Sequence, residues 1–406
     1  MKVGHRFGVF TVAVFASVMA TSLAGQRRSE PKLSQEGHGD QQGDEGPNED
    51  RLAAGRRLFE RETFGGNGRT CVTCHSRKTG TVSPKDAQAR FQANPHDPLF
   101  AHDGSDDGLG NGVTRILADA TILVTIPLPP NVRLGDSSDR FVVVKRGIPT
   151  TLNTPALDPV LMLDGRQPTL ELQANGAIHD HAQAKIEPTL PQLELIRQFQ
   201  LTDAFFSSAS LRDAALGGPR PKLPRGNTAS ERRGRRFFED VPPNPADGFK
   251  PGLCSHCHSG TLMDQISEFA PQFFGVPVKT GTRFQNVLVS FFNQANNPVR
   301  EFIFNEGTAN EAHVFSPDPG RALITGVVDG PTTFENIDAF KISQLRGIRH
   351  TAPYFHDNSA KTLEDVAAHY ARFFRFVTGE CCGFDPVIVL TPQDEADIVA
   401  FMKLLD

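Results

Sequence analysis

The string "LCSHCHSG" at residues 253 to 260 places two cysteines and two histidines within the five positions from Cys254 to His258. "TCVTCHS" at residues 70 to 76 repeats its core, Cys-x-x-Cys-His-Ser, so four of the six cysteines fall into two copies of one motif. Residues i and i+3 of a helical turn share a face. Cys71 with Cys74, and Cys254 with Cys257, can therefore each form two thioethers to the vinyl groups of one porphyrin, with the adjacent His75 or His258 directed at its iron. Two other chemistries use the same side chains. Zinc needs four nitrogen or sulfur donors in a closed site, and each motif offers three, with His256 as an extra donor in the second. A thioredoxin-type dithiol needs a βαβ setting, which the surrounding pattern lacks. Two copies behind one shared lead-in favour two covalent c-type haems over both. His256, at the variable position of its motif, reads as solvent-facing.

The lead-in that must position these motifs is itself repeated. "GRRLFE" at 55 to 60 and "GRRFFE" at 234 to 239 precede the two motifs by 10 and 14 intervening residues. One unit has been used twice, which divides the chain into halves at roughly 51 to 210 and 226 to 406, joined through 211 to 225 and the Pro/Gly-dense "GGPRPKLPRG" at 217 to 226. The pattern is mainly α. Thr228 and Glu231 form a capping box ahead of the second lead-in, Leu193, Ile196 and Phe199 recur at helical spacing, and Thr391-Pro392 opens a C-terminal helix. "TILVTIPLPPNVRL" (121 to 134) and "RFVVVKRG" (140 to 147) read as a short β or irregular excursion in the first half.

Bulk composition fits an exported globular protein. The 406 residues are 38% hydrophobic, enough for a core in each of two domains. The 42 basic and 47 acidic residues are interspersed, which argues against a nucleic-acid partner. Lys2 and Arg6 precede a 14-residue apolar run, Phe7 to Ala20, too short to span a bilayer, and "SLA" at 22 to 24 supplies a small-residue cleavage site. The expectation is a signal peptide over 1 to 24, a disordered polar tether over 25 to 50, and a periplasmic or secreted protein with no membrane contact after cleavage, an uncleaved anchor being the alternative. The 31 Phe against two Tyr and no Trp leave few easily oxidised aromatic rings.

Whether an iron exchanges electrons or binds an oxidant depends on the face opposite its histidine. Methionine is scarce there: beyond the initiator and Met19 there are Met162, Met263 and Met402, and Met263 lies too close to His258 to reach round the ring. In "TAPYFHDNSAKTLEDVAAHY" (351 to 370), Thr362 caps a helix with Asp365, and Leu363, Val366, Ala367 and Tyr370 share an apolar face that excludes His369. Tyr370 therefore points to the core side.

"LRGIRHTAPYFHDNSAKTLEDVAAHY", "RGIPTTLNTPALDPVLMLDGRQPTLELQANGAI" (146 to 178) and the two Cys-x-x-Cys-His motifs together resemble the bacterial dihaem cytochrome c peroxidase family, in the broad group that includes the MauG enzyme of methylamine utilisation. The likeness spans nearly everything from 51 to 406. It implies two cytochrome c-like domains, a peroxide-reacting haem held by Cys71, Cys74 and His75, and an electron-storing haem held by Cys254, Cys257 and His258. Tyr370 matches the position of the second haem's sixth ligand, methionine in ordinary family peroxidases and tyrosine in the MauG-like branch; a phenolate favours high-valent iron. The implied partners are hydrogen peroxide and either a small redox protein (a cytochrome c or a cupredoxin) or a protein side chain to be modified.

This chain also departs from that family. Leu163 in "LDGR" stands where a tryptophan lies between the haems. The family's acid-base glutamate falls on Gln183, which exchanges no proton near neutral pH. His179, His181 and Glu187 are nearby substitutes, and His181 is the preferred one. No histidine stands where ordinary members carry a displaceable ligand on the first haem. The family's calcium site implies backbone carbonyls of Thr351 and Pro353, with Gly147 at the place of an asparagine. Cys381 and Cys382 are adjacent, open to a vicinal disulfide or free thiols. The Arg-rich stretch 220 to 236 reads as a solvated face or a dock for an acidic redox partner. Against the peroxidase stand a non-catalytic dihaem electron carrier and an oxygen-dependent cleavage enzyme.

Overall fold

The computed structural model of this chain describes residues 46 to 271, 279 to 329, 334 to 380 and 387 to 405. The expected signal segment, the tether up to residue 45 and the Cys381-Cys382 pair lie outside them. Helix α1 (Gly46–Arg61) begins five residues before the expected boundary at 51, with Glu49 in its first turn where a carboxylate complements the helix dipole.

In the first half, α1 crosses α6 (Leu190–Thr202), and α5 (Leu170–Asp180) packs beside them. The crossing is close because residue 55 has no side chain: a Cβ there would press into the Leu195 carbonyl of α6. Beside it, Phe59 and Phe199 each meet Phe206 edge to face at 5.3 Å, with Ile178, Leu193 and Ile196 completing this core. The second lead-in repeats the device. α8 (Ala229–Arg235), capped by Thr228 and Glu231 as expected, crosses the C-terminal helix Pro392–Met402 at Gly234, where a Cβ would press into the Asp397 carbonyl. The glycine of each "GRR" string is thus a helix-crossing point.

The β excursion forms at the expected residues. β1 (Thr121–Pro127) pairs antiparallel with β3 (Phe141–Gly147) from Thr121↔Gly147 to Pro127↔Phe141, and buries Ile122, Val124, Ile126, Val142 and Val144 on one side. Between them, β2 (Val132–Leu134) leaves the first half and pairs with β5 (Arg300–Phe304), itself paired with β6 (Ala312–Ser316). The core under these strands mixes Ile126 and Leu134 with Phe302, Phe304 and Leu323 of the second half. A buried ion cluster joins the same halves. Arg146 bonds Asp164 at 2.5 Å and Asp318 at 2.7 and 2.8 Å, and Arg166 bonds Asp164 at 2.8 Å. Among the described residues no helix is long and apolar enough to cross a membrane.

Candidate functional site

Each Cys-x-x-Cys-His motif closes a turn in which the histidine amide donates to the carbonyl of the first cysteine at 2.9 Å, His75 to Cys71 and His258 to Cys254. The first is the short helix α2 (Cys71–Cys74); the second is a hydrogen-bonded turn hung on Phe237, whose carbonyl accepts from the Cys254 amide at 2.8 Å. Both imidazoles are then fixed alike. His75 Nδ1 donates to the Gly80 carbonyl and His258 Nδ1 to the Met263 carbonyl, each at 2.9 Å and each five residues downstream. A carbonyl only accepts, so the proton sits on Nδ1 and the lone pair on Nε2. Burial pushes both imidazoles below their ordinary pKa despite those bonds, which keeps them neutral and able to ligate a metal.

Each motif lines its own cavity. The first, about 70 Å³, is walled by Phe59, Phe64, Ile178 and Ile196 around Cys71, Cys74 and His75. The second, about 210 Å³, holds Cys254, Cys257 and His258 among Phe238, Leu253, Phe373 and Phe374. The donor set fits a porphyrin held by thioethers. Burial drives the thiols of Cys71 and Cys257 up to about 12, and raises those of Cys74 and Cys254, so none is a ready thiolate for zinc or disulfide exchange. Among the described residues, Thr151 Oγ1 on the first wall and Gln344 Oε1 on the second are buried with no hydrogen-bond partner, so each wall keeps a polar atom for a bound group. Among the described residues no group of three or more His, Cys, Asp or Glu side chains is placed to hold a metal ion. His256 is fully buried rather than solvent-facing: its amide donates to Gly252 and its carbonyl accepts from Ser267, so a neighbouring loop covers the turn.

Of the four side chains weighed for acid-base work in the first cavity, only His181 lines it. It caps the C-terminus of α5. His179, two residues earlier, faces outward to Glu187 at 3.1 Å, and Gln183 turns away to accept from Asn67 Nδ2 at 3.2 Å. His181 Nδ1 bonds Asp103 Oδ2 at 2.5 Å. Asp103 is 4% exposed and its other oxygen receives Arg69, which is 2% exposed and also donates to the carbonyls of Pro98, Leu99, Ala101 and His181. Burial pushes Asp103 up, but the His181 hydrogen bond and the Arg69 charge outweigh it and hold the carboxyl below its ordinary value. The carboxylate therefore accepts the hydrogen bond of His181 Nδ1–H, and the Nε2 lone pair is left as a base.

In the second cavity the capped helix Leu363–Arg375 buries Leu363, Val366 and Ala367 and brings Tyr370 to the cavity wall. His369 lies off that face, against Phe355, with its Nε2 bonded to the Val287 carbonyl at 2.9 Å. Burial, and then the nearby Cys257 and Cys254, raise the Tyr370 phenol. Leu163, Thr351, Pro353 and Gly147 also line this cavity, and the Asn358 side chain packs directly on Gly147.

The residues that sequence reasoning missed are Arg69 and Asp103. They sit 34 positions apart, and Asp103 sits 78 from His181. Gly104 has no room for a Cβ beside the Leu99 carbonyl and Arg69, a contact that only the fold reveals.

No family model matches this chain, and no curated relative matches it. Solved structures that resemble it include a MauG-like protein associated with microbial copper homeostasis (20% identity over 88% of each chain, TM-score 0.46). The diheme peroxidase BthA from Burkholderia thailandensis E264 is 15% identical over 88% of this chain and 86% of its own, with a TM-score of 0.47. Hydrazine synthase of Kuenenia stuttgartiensis is 16% identical over 93% and 99%, with a TM-score of 0.33.

Proposed function

We propose that this chain is a dihaem c-type oxidoreductase that reduces hydrogen peroxide with electrons from a small redox protein or a protein side chain. The observation that carries the proposal is the asymmetry of two cavities built on the same motif. Each holds a Cys-x-x-Cys-His turn with its imidazole tied through Nδ1, but the first adds a base oriented by a buried carboxylate and the second adds a phenol. The covalent haems supply irons able to take a peroxide oxygen and to exchange single electrons.

The chain's own residues do the rest. Cys71, Cys74, Cys254 and Cys257 hold the two groups, and His75 and His258 are their proximal donors. His181 Nε2 takes the proton of the arriving peroxide and returns it to the departing oxygen, a hydroxide that leaves as water. Gln183 has no part in that transfer. Tyr370, on the wall of the same cavity as His258, would be a further donor to the second group. In this reading the halves 51 to 210 and 226 to 406 are cytochrome c-like domains, the protein is exported, and a calcium ion held at Thr351 and Pro353 would have the neutral Asn358 side chain beside Gly147.

Holoprotein matured with a c-type haem system should carry two irons and two covalently retained porphyrins. In stopped-flow spectra its first haem should react with peroxide within milliseconds to seconds. Fewer than two porphyrins, or spectra unmoved by peroxide, would reject the proposal. The second reading, a dihaem electron carrier, is favoured by Leu163 on the wall of the second cavity in place of a redox-active aromatic, and inert spectra at both haems would select it.

A further inference from the structure

The proposed reaction needs electrons to pass between the cavities, yet the usual stepping stones are missing. There is no Trp in the chain, and both tyrosines, Tyr354 and Tyr370, line the second cavity. No Tyr or Trp side chain stands on the first cavity's wall.

The cavities nevertheless meet at one peptide. Thr150 lines the second and Thr151 lines the first. The Gly80 carbonyl that receives His75 Nδ1 at 2.9 Å also receives the Thr151 amide at 3.1 Å. Thr150 Oγ1 donates to the Thr79 carbonyl at 2.8 Å and accepts from the Leu152 amide at 3.1 Å, which holds the peptide in place from its other side. The junction tolerates no added atom. A Cβ on Gly80 would lie 2.7 Å from Thr150 Oγ1 and 2.8 Å from the Thr151 nitrogen, and Gly80 has a φ of +68° that other residues rarely adopt.

We propose that the Gly80 carbonyl and the Thr150-Thr151 peptide form the electron bridge between the two haem sites, with Thr150 as the positioning residue. The inference rests on the dihaem reading above. One electron leaves the second site, which is oxidised by one unit, and crosses from the Thr150 side through the Thr151 amide and the Gly80 carbonyl to the His75 imidazole. The first site is reduced by one unit. Peroxide is the terminal oxidant. Hydrogen bonds and one peptide carry the exchange, so no side chain is itself oxidised.

The test compares Thr150→Val, which keeps the shape and removes the hydroxyl, with Thr150→Ser, which keeps the hydroxyl. Both are made as dihaem holoprotein. An electron is placed on the second haem by flash photoreduction, its arrival at the first is followed by absorbance, and both reduction potentials are measured so that rates are compared at equal driving force. Thr150→Val should slow the transfer by roughly tenfold, the scale on which loss of support behind a metal-bound histidine acts, and Thr150→Ser should run near the wild-type rate. Thr150→Val at the wild-type rate, or Thr150→Ser as slow as Thr150→Val, would overturn the bridge. If both haems are present and peroxide reacts, that result leaves the peroxidase reading intact; loss of a haem or of the peroxide reaction in the wild type would sink both.

Discussion

In the proposed reaction His181 serves as the base, and two buried residues hold its ring in a fixed orientation. Asp103 accepts the hydrogen bond of its Nδ1–H, and Arg69 holds Asp103 while donating to four backbone carbonyls. Asp103→Asn keeps the size but can offer an N–H to the ring and select the opposite tautomer. Its reaction with peroxide, followed by stopped flow, should slow by about 100-fold, within the span of a positioned acid-base group. Cyanide binding to the oxidised first haem, which also passes a proton to the base, should lose its pH dependence in step. Because the Asp103 carboxyl lies below its ordinary value in the fold, its contribution to stability is complete above that ordinary value and is lost as pH falls through the native one. Asp103→Asn should therefore unfold in acid with a shallower pH slope. At the other cavity, Tyr370→Phe removes the phenol oxygen and keeps the ring. The second haem's absorption and electron-spin signals should change, and signals identical to wild type would withdraw Tyr370 as the donor.

At the scale of elements, the repeated "GRR" strings gain a physical meaning. Gly55 and Gly234 are where α1 crosses α6 and where α8 crosses the C-terminal helix, each with a carbonyl of the partner helix in the space a Cβ would fill. Gly234→Ala should lower the unfolding free energy by about 1–3 kcal/mol, the usual cost of forcing an atom into a packed contact, read as a shift of the denaturant midpoint. The capped helices, the β segments and the Cys-x-x-Cys-His turns were legible in the sequence because caps, alternation and motif spacing are local signals. Helical periodicity placed Tyr370 on the core side, since His369 falls off the apolar face, and the family resemblance added its reading as a donor. The choice of His181 over Gln183 depended on where α5 ends, a boundary that composition marks poorly. Asp103 and Arg69 were invisible because a contact between distant loops leaves no periodic trace. His256 was misread because the loop that covers it, through Ser267, is not part of the motif.

At the scale of the molecule, "LDGR" and the start of "RGIPTTLNTP" meet as structure. Arg146, Asp164 and Arg166 come from that stretch and Asp318 from the second half, and together they form the buried ion cluster that ties the halves. Burial lowers the Arg146 guanidinium's affinity for its proton, but the two carboxylates outweigh it and hold it charged. Arg146→Met leaves the buried Asp318 carboxylate without its ion partner and Asp164 with Arg166 alone, so calorimetry should find a loss of about 3–5 kcal/mol and the two haem absorptions should change in one transition. The uneven placement of oxidisable side chains has a further consequence, for the protein's lifetime. Apart from the imidazoles of His75 and His181, the aromatic rings of the first cavity are Phe59 and Phe64, whereas Tyr354, Tyr370 and Met402 all face the second. Chronic exposure to excess peroxide should age the molecule from one end, with oxygen adducts mapped by mass spectrometry gathering on those three side chains while the first pocket stays chemically clean.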